Sequence, residues 1–161
     1  MVMGAAGTDS YVLCEVAGTT YAVPSDDIEQ LDMIGQLTPV PNAPAFVDGV
    51  TSVRGRVIPA VSMRARFGFE RKPYDLRSRL IIVRSEGRSV GLLVDGAREF
   101  STIPEAAIQP PPEGLVDLSA QYLRGVAHID ERLVLVLDIA ELLRVTETRP
   151  SISTEMLPAR S

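Results

Sequence analysis

The chain has 161 residues, 45% of them hydrophobic and 23% charged, with a formal net charge of −5 at pH 7. That length suits one domain with room for two small cores, and the composition is ordinary for a soluble globular protein. No apolar run approaches the roughly 18 residues of a membrane helix, so direct membrane insertion is not expected. The single Cys14 excludes an internal disulfide and suits a reducing cytoplasm.

The start, MVMGAAG, has neither the basic flank nor the apolar stretch of a signal peptide. Residues 1–9 and 145–161 are small or polar and read as flexible tails. Charge is unevenly spread. Residues 1–53 hold seven acids and no Lys or Arg, whereas 54–79 hold eight bases against two acids. Such a basic stretch suits a phosphate or acidic partner, or balances the acidic start.

In chain order, Tyr11–Val16 and Thr20–Val23 flank a Gly18 turn and read as a hairpin. Pro24 breaks it, and Ile28–Ile34 reads as a further strand with a possible helical turn before it. Gly49–Val53 and Val57–Val61 read as strands around an Arg54-Gly55 turn, which presents one charged side chain between apolar strands. Pro59 cannot donate a ladder bond and is expected at an edge, a bulge or a strand end. Ser62 then caps a helical turn over Met63–Phe67. Arg79–Arg84 with Ser89–Val94 make a second hairpin, followed by a strand over Ala97–Ile103. Pro104 opens a loop with Pro110, Pro111 and Pro112 that reads as stiff polyproline. A third hairpin, Tyr122–Ile129 with Leu133–Leu137, turns at Asp130-Glu131, and Asp138 caps a last helix to Arg144.

An internal repeat runs through this order. GVTSVRGRVIPAVSMRARF from Gly49 aligns without gaps on GVAHIDERLVLVLDIAELL from Gly125, an offset of 76. Ser62 and Asp138 fall at matching caps, and the opening hairpins correspond at an offset of 69. Each half offers about five short strands, which close naturally into a small barrel. The halves differ at one turn: Arg54-Gly55 in the first, Asp130-Glu131 in the second.

No catalytic, cofactor or metal constellation is recognisable. His128 has no nucleophile nearby in sequence and reads as structural. Cys14, within an apolar strand, reads as a buried inert thiol. The pairs Asp26-Asp27 and Asp130-Glu131 lack the further ligands of a metal site. Nucleic-acid binding is not expected, because aromatics for base stacking are few and the net charge is negative.

GVTSVRGRVIPAVSMRARFG resembles the signature of the CheW-like domain, a G-V-x-N-x-R-G turn before an I-x-P-V-x-D-L-R strand and helix. YVLCEVAGTTYAVPSDDIEQL, SVGLLVDGAREF and YLRGVAHIDERLVLVLDIAELL extend the likeness over roughly residues 10 to 143. Ser52 stands where Asn is usual and Ser62 where Asp is usual. The resemblance implies an all-β fold of two five-stranded SH3-like or OB-like barrels with short helices, over residues 10–144. The repeat divides these approximately into 10–70 and 79–144, with strand exchange left open.

The resemblance further implies a non-enzymatic cytoplasmic adaptor, without cofactor, in a bacterial chemosensory array. Its partners would be the regulatory domain of a CheA-type histidine kinase and the cytoplasmic tip of chemoreceptors. By motif match, Arg54 is the expected kinase contact, with Ser52, Val53 and Val57 around it. Ile28, Gly49, Leu80 and Gly91 are the expected receptor groove, small residues admitting a helix and apolar ones anchoring it. The alternative is a small ligand- or nucleic-acid-binding barrel outside chemotaxis, which would need a concave pocket with perturbed titratable groups.

Overall fold

The computed structural model describes residues 9–112 and 122–144. Ten strands run β1 Ser10–Val16, β2 Thr19–Pro24, β3 Ile28–Met33, β4 Val47–Val53, β5 Arg56–Ser62, β6 Arg79–Ser85, β7 Arg88–Val94, β8 Gly96–Thr102, β9 Leu123–Ile129 and β10 Arg132–Leu137. Helix α1 spans Met63–Arg66 and α2 covers residues 139–144. Short 3-10 turns occupy Ser25–Asp27 and Glu105–Ala107. The expected all-β architecture is present.

The strands form two five-stranded sheets of the same plan, ordered β3-β6-β7-β5-β4 and β8-β1-β2-β10-β9. Residues 28–94 make the first, here the continuous unit. The second, the split unit, joins β1 and β2 from the start of the chain to β8, β9 and β10. The division near 70–79 suggested by the repeat therefore does not coincide with the sheets. Each repeat contributes its opening hairpin to the other repeat's sheet. The reason is the parallel contact of β5 with β7 and of β2 with β10, which joins strands of different repeats. A parallel neighbour needs a long crossover, and no local turn signal announces it.

The exchange places apolar side chains on both faces of the hairpin strands. Tyr11 and Leu13 point into the split unit with Ala22, Ile103, Ala127, Val134 and Val136. Leu80 and Ile82 point into the continuous unit with Ile58, Ala60 and Leu93. Cys14, Val16, Tyr21 and Val23 face the other way and meet Ile81, Val83, Leu92 and Val94 in a third core between the sheets. Each fully buried Leu, Ile or Val contributes about 1.5–3 kcal/mol. The run YVLC is apolar without alternation because β1 has no solvent face, which antiparallel strands with one wet face do not show.

Turns and caps follow local chemistry. Ala17-Gly18, Arg54-Gly55 and Glu86-Gly87 all have positive φ at both positions, the two-residue geometry that matches strand twist. Asp130-Glu131 adopts the same turn without glycine, at φ 49° and 66°. Ser62 Oγ accepts from the Ala65 amide at 3.1 Å, and Asp138 Oδ1 from the Glu141 amide at 3.1 Å. Both caps are those expected.

Two expectations change. Pro59 lies inside an internal strand rather than at an edge or end. Val50 exchanges both backbone bonds with Thr38, so the Val50–Pro59 pair is not hydrogen-bonded and the proline nitrogen faces β7. Pairing with β7 begins only at Ala60, so no ladder bond is lost. The Pro-rich stretch after Ile103 is likewise not simply polyproline. It carries the 3-10 turn at Glu105–Ala107, and Gln109 bridges Val126 through both backbone groups. The tails fall outside the described residues, except Asp9, whose carbonyl accepts from the Ile103 amide at 2.8 Å.

The repeat is reproduced in detail. Thr38 bridges Val50 as Gln109 bridges Val126. Gly49 and Gly125 precede these residues, and a Cβ at either would overlap the carbonyl oxygen of Thr38 or Gln109. Phe46 O accepts from Ser62 N at 2.8 Å, and Tyr122 O from Asp138 N at 2.7 Å. The Arg66 guanidinium lies between those two rings, 4.6 Å from Phe46 and 4.8 Å from Tyr122.

Where the units meet, Arg64 donates three hydrogen bonds to the Asp95 carboxylate at 2.8–3.1 Å. Asp95 also accepts from the Ala17 amide at 2.8 Å. It thereby ties α1 to the β1–β2 turn. Burial alone would raise the Asp95 carboxyl, but the Arg64 and Ala17 hydrogen bonds outweigh it and hold it below the usual range. Asp95→Asn should cost about 1–3 kcal/mol at pH 7, since the pair is only partly shielded. A lowered folded-state pKa means the contribution is full above the unfolded carboxylate pKa and is lost as pH falls through the folded value. Urea titrations of the two proteins should accordingly converge as pH is taken from 7 towards 3.

Candidate interaction site

Sheets of this size curl, and the curl brings the two edges of the continuous unit, β3 and β4, towards each other. One end is closed by charge. Glu29, the bulged residue of β3, accepts from Arg56 of β5 at 2.9 Å, Arg84 of β6 at 3.1 Å and Ser89 of β7 at 3.1 Å. These bonds hold the Glu29 carboxyl below its ordinary range, the Arg56 bond contributing most. Beside this closure a groove of about 710 Å³ remains, lined by Gln30–Met33 from β3, Val50–Val53 from β4, Arg54, Val57 and Leu80.

Arg54, Ser52, Val53 and Val57 are thus brought together on one wall of the groove. Arg54 stands at the β4–β5 turn tip, exposed, and its side chain has no ion-pair or hydrogen-bond partner among the described residues. Val57 is 71% exposed, and across the groove Met33 is 54% and Leu31 38% exposed. An isolated guanidinium rimmed by apolar side chains is the chemistry of a protein contact.

The other expected set is not assembled in this way. Leu80, 1% exposed, is the groove floor and belongs to the core of the continuous unit. Gly91 is buried beneath it: a Cβ there would lie 2.5 Å from Leu80 Cδ1. Gly49 is covered by the Thr38 backbone, and Ile28 packs against the core between the sheets. Three of the four shape the unit from within and present little surface.

Four of the eight bases between Arg54 and Arg79 are paired with carboxylates of the same chain. Arg56 pairs with Glu29, Arg64 with Asp95, Arg71 with Asp48 and Arg77 with Glu15. Asp48, the bulged residue of β4, also accepts from the Tyr74 hydroxyl, so it clasps the connector to the sheet. Burial and then that bond push the Tyr74 phenol well above its ordinary range. Sequence reasoning missed these acceptors because each lies 23 to 62 residues from its arginine. Only the local charge balance hinted at them.

The remaining reactive residues sit as follows. Cys14 is 1% exposed, and burial, with Glu15 and Asp95 adding, pushes its thiol up to about 12. His128 is exposed on β9, opposite Leu133. Among the described residues no group of three His, Cys, Asp or Glu could hold a metal ion. Nor is any described helix long and apolar enough to cross a membrane.

Comparison with known proteins bears on this arrangement. Residues 10–147 match the CheW-like domain. The chain belongs to the CheW-like family. It is 28% identical over 137 residues to the chemotaxis protein CheW of Klebsiella aerogenes, covering 85% of this chain and 82% of that one. It is 37% identical over 113 residues to a probable chemotaxis protein CheW of Rhizobium etli, covering 69% and 72%. Among solved structures it resembles the scaffolding protein TtCheW of Thermoanaerobacter tengcongensis, with TM-score 0.74 and 28% identity over 81% of this chain and 88% of that one.

The groove wall and the core should respond differently to substitution. Val57→Ser and Arg54→Ala remove exposed groups and should leave the thermal midpoint within a degree or two, on the order of 0.5 kcal/mol or less. Gly91→Trp must displace Leu80 and should lower stability by about 1–3 kcal/mol or more. Calorimetric melting of the three variants checks the division. An unchanged midpoint for Gly91→Trp would show that the position has open space.

Proposed function

We propose that this protein is a non-catalytic cytoplasmic adaptor that couples chemoreceptors to a CheA-type histidine kinase in a bacterial chemosensory array. Support comes from membership of the CheW-like family, from relatives named as chemotaxis proteins and from a structural relative named as a scaffolding protein. The observation that carries the kinase contact is the exposed Arg54 tip beside Ser52, Val53 and Val57. A docked regulatory domain would surround the guanidinium with apolar surface, where a carboxylate or carbonyl accepts from its planar donor fork.

The cytoplasmic tip of a receptor is the second partner. Gly49, Leu80 and Gly91 serve that contact from beneath the surface, by fixing the backbone of β4, β6 and β7. Ile28, partly exposed at the boundary of the sheets, is the one of the four that a receptor helix can touch. Coupling then needs no chemistry. It requires two surfaces whose contacts differ between receptor states, held by a body stiff enough to relate them. The core shared by the two sheets supplies that stiffness.

Truncating a desolvated charged contact usually costs about 2–5 kcal/mol, whereas an exposed rim pair is worth about 0.2–1 kcal/mol. Arg54→Ala should therefore weaken binding of the purified kinase regulatory domain at least about tenfold in isothermal calorimetry. Arg54→Glu should weaken it further. Arg124→Ala, which breaks a surface pair with Glu105 on the split unit, should leave this affinity unchanged. An Arg54→Ala affinity within about threefold of wild type would sink the kinase assignment.

A further inference from the structure

The two sheets match strand for strand, β3 with β8, β6 with β1, β7 with β2, β5 with β10 and β4 with β9, bulges included. The connector from α1 to β6, residues 67–78, belongs to neither sheet. It is nonetheless pinned along its length. Arg64 donates to Glu70 O at 2.9 Å, Arg71 to Ala45 O at 2.5 Å and to Asp48 at 2.8 Å, and Tyr74 to Asp48. The connector ends in a turn over residues 75–78, closed by the Ser78 amide on Asp75 O at 3.1 Å. Asp75 Oδ1 accepts from the Arg77 amide at 2.9 Å, Ser78 Oγ from the Asp75 amide at 2.9 Å, and Leu76 O from Arg79 at 2.7 Å.

That turn holds Leu76 out into solvent. At 81% it is the most exposed large hydrophobic side chain among the described residues. A leucine on a fixed turn gives up little backbone freedom when a partner covers it, which favours binding. Beside the turn lies a cavity of about 220 Å³, whose lining includes Lys72, Arg77, Glu15, Gly18, Asp75 and Asp95. Its carboxylates are already engaged: Asp95 by Arg64 and Ala17, Asp75 by the Arg77 amide and Ser78, Glu15 by Arg77 at 3.5 Å. Lys72 is exposed and has no partner among the described residues, and the Arg77 side chain is 76% exposed. The cavity is short of one acceptor for Lys72.

We propose that this turn is a third docking surface, where an acidic amphipathic segment of a partner protein places a carboxylate on Lys72 and Arg77 and packs apolar side chains on Leu76. Protein is favoured over nucleic acid by the cavity's own carboxylates, which repel a continuous phosphate backbone, and by an aliphatic anchor on which no base stacks. The surface is separate from the two proposed for the adaptor. The clasp at Asp48 lies about 20 Å along β4 from Arg54, and Ile28 pairs with Val83, about 17 Å along the chain from Ser78. A third partner can therefore bind while kinase and receptor contacts are made, and the inference does not rest on the adaptor reading.

Amide chemical shifts of the isotope-labelled full chain, followed by NMR during titration to millimolar peptide, test this. The probe is a synthetic peptide with Glu and Leu at helical spacing, and the control carries Lys for every Glu. The acidic peptide should shift the amides of Gly18 and of residues 72–78, and the basic one should not. Lys72→Glu, at an exposed unpaired position, should weaken binding at least about fivefold. Leu76→Ser should weaken it about threefold or more without a change of charge. Arg54→Glu should leave it unchanged. Melting curves establish that each variant is folded. The proposal is overturned by an acidic peptide that moves none of these amides, by an equal response to the basic peptide, or by Lys72→Glu and Leu76→Ser variants that bind as wild type does. It is overturned as well if duplex DNA, the kinase regulatory domain or a second copy of the chain, seen as shifts that follow protein concentration alone, is what covers these amides.

Discussion

The layer of side chains between the two sheets is the constraint on which the rest of this structure depends. Cys14, Val16, Tyr21 and Val23 from one hairpin meet Ile81, Val83, Leu92 and Val94 from the other. Each hairpin also belongs to a sheet completed by strands of the opposite repeat. Neither unit can therefore fold with its own repeat alone, and separating the units would uncover an apolar face on both. Interfaces between independent domains are usually more polar and allow relative motion. This one is a core, and it makes two small barrels one stiff body. Arg66, held between Phe46 and Tyr122, and Phe67, stacked 4.9 Å from Tyr21, extend the same layer.

Electrostatics is arranged around that body in two modes. Half of the bases in the basic stretch pair with specific carboxylates: Glu29 closes the end of the continuous unit, Asp48 clasps the connector, and Asp95 ties the units together. These partly buried, multiply bonded carboxylates define geometry more than they add net stability. The turn tips are the other mode. Arg54 on one unit and Asp130-Glu131 on the other stand exposed at hairpin tips with no side-chain partner among the described residues, so their chemistry is open to a partner.

Duplication of the architecture with divergence of the surface explains how one fold offers distinct contacts. The bulges, the Phe46 and Tyr122 carbonyl bonds and the Ser62 and Asp138 caps are kept in both units, because they satisfy backbone groups and set strand curvature. The exposed positions are not kept. Leu31 faces Phe100 in the equivalence, Val57 faces Leu133, and an arginine faces an acidic pair. A scaffold needs surfaces that are alike in shape and unlike in preference, and this division supplies them.

The sequence by itself determined the strands, the turns, the two helix caps, the repeat and the exposed Arg54, because each rests on local chemistry. Alternating apolar residues, Gly at positive φ and a hydroxyl or carboxylate before a helix act within a few residues. What only tertiary structure decided was partnership over distance. The hairpin exchange depends on parallel contacts that leave no mark on either strand, and the acceptors of the arginines lie far along the chain. Gly91 and Leu80 looked in sequence like a docking groove. Burial alone distinguishes a floor from a surface, and burial is a property of the whole fold. Pro59 makes the same point: its nitrogen faces β7, and its place inside a sheet is tolerated because pairing with β7 begins only at Ala60, a register that no local signal announces.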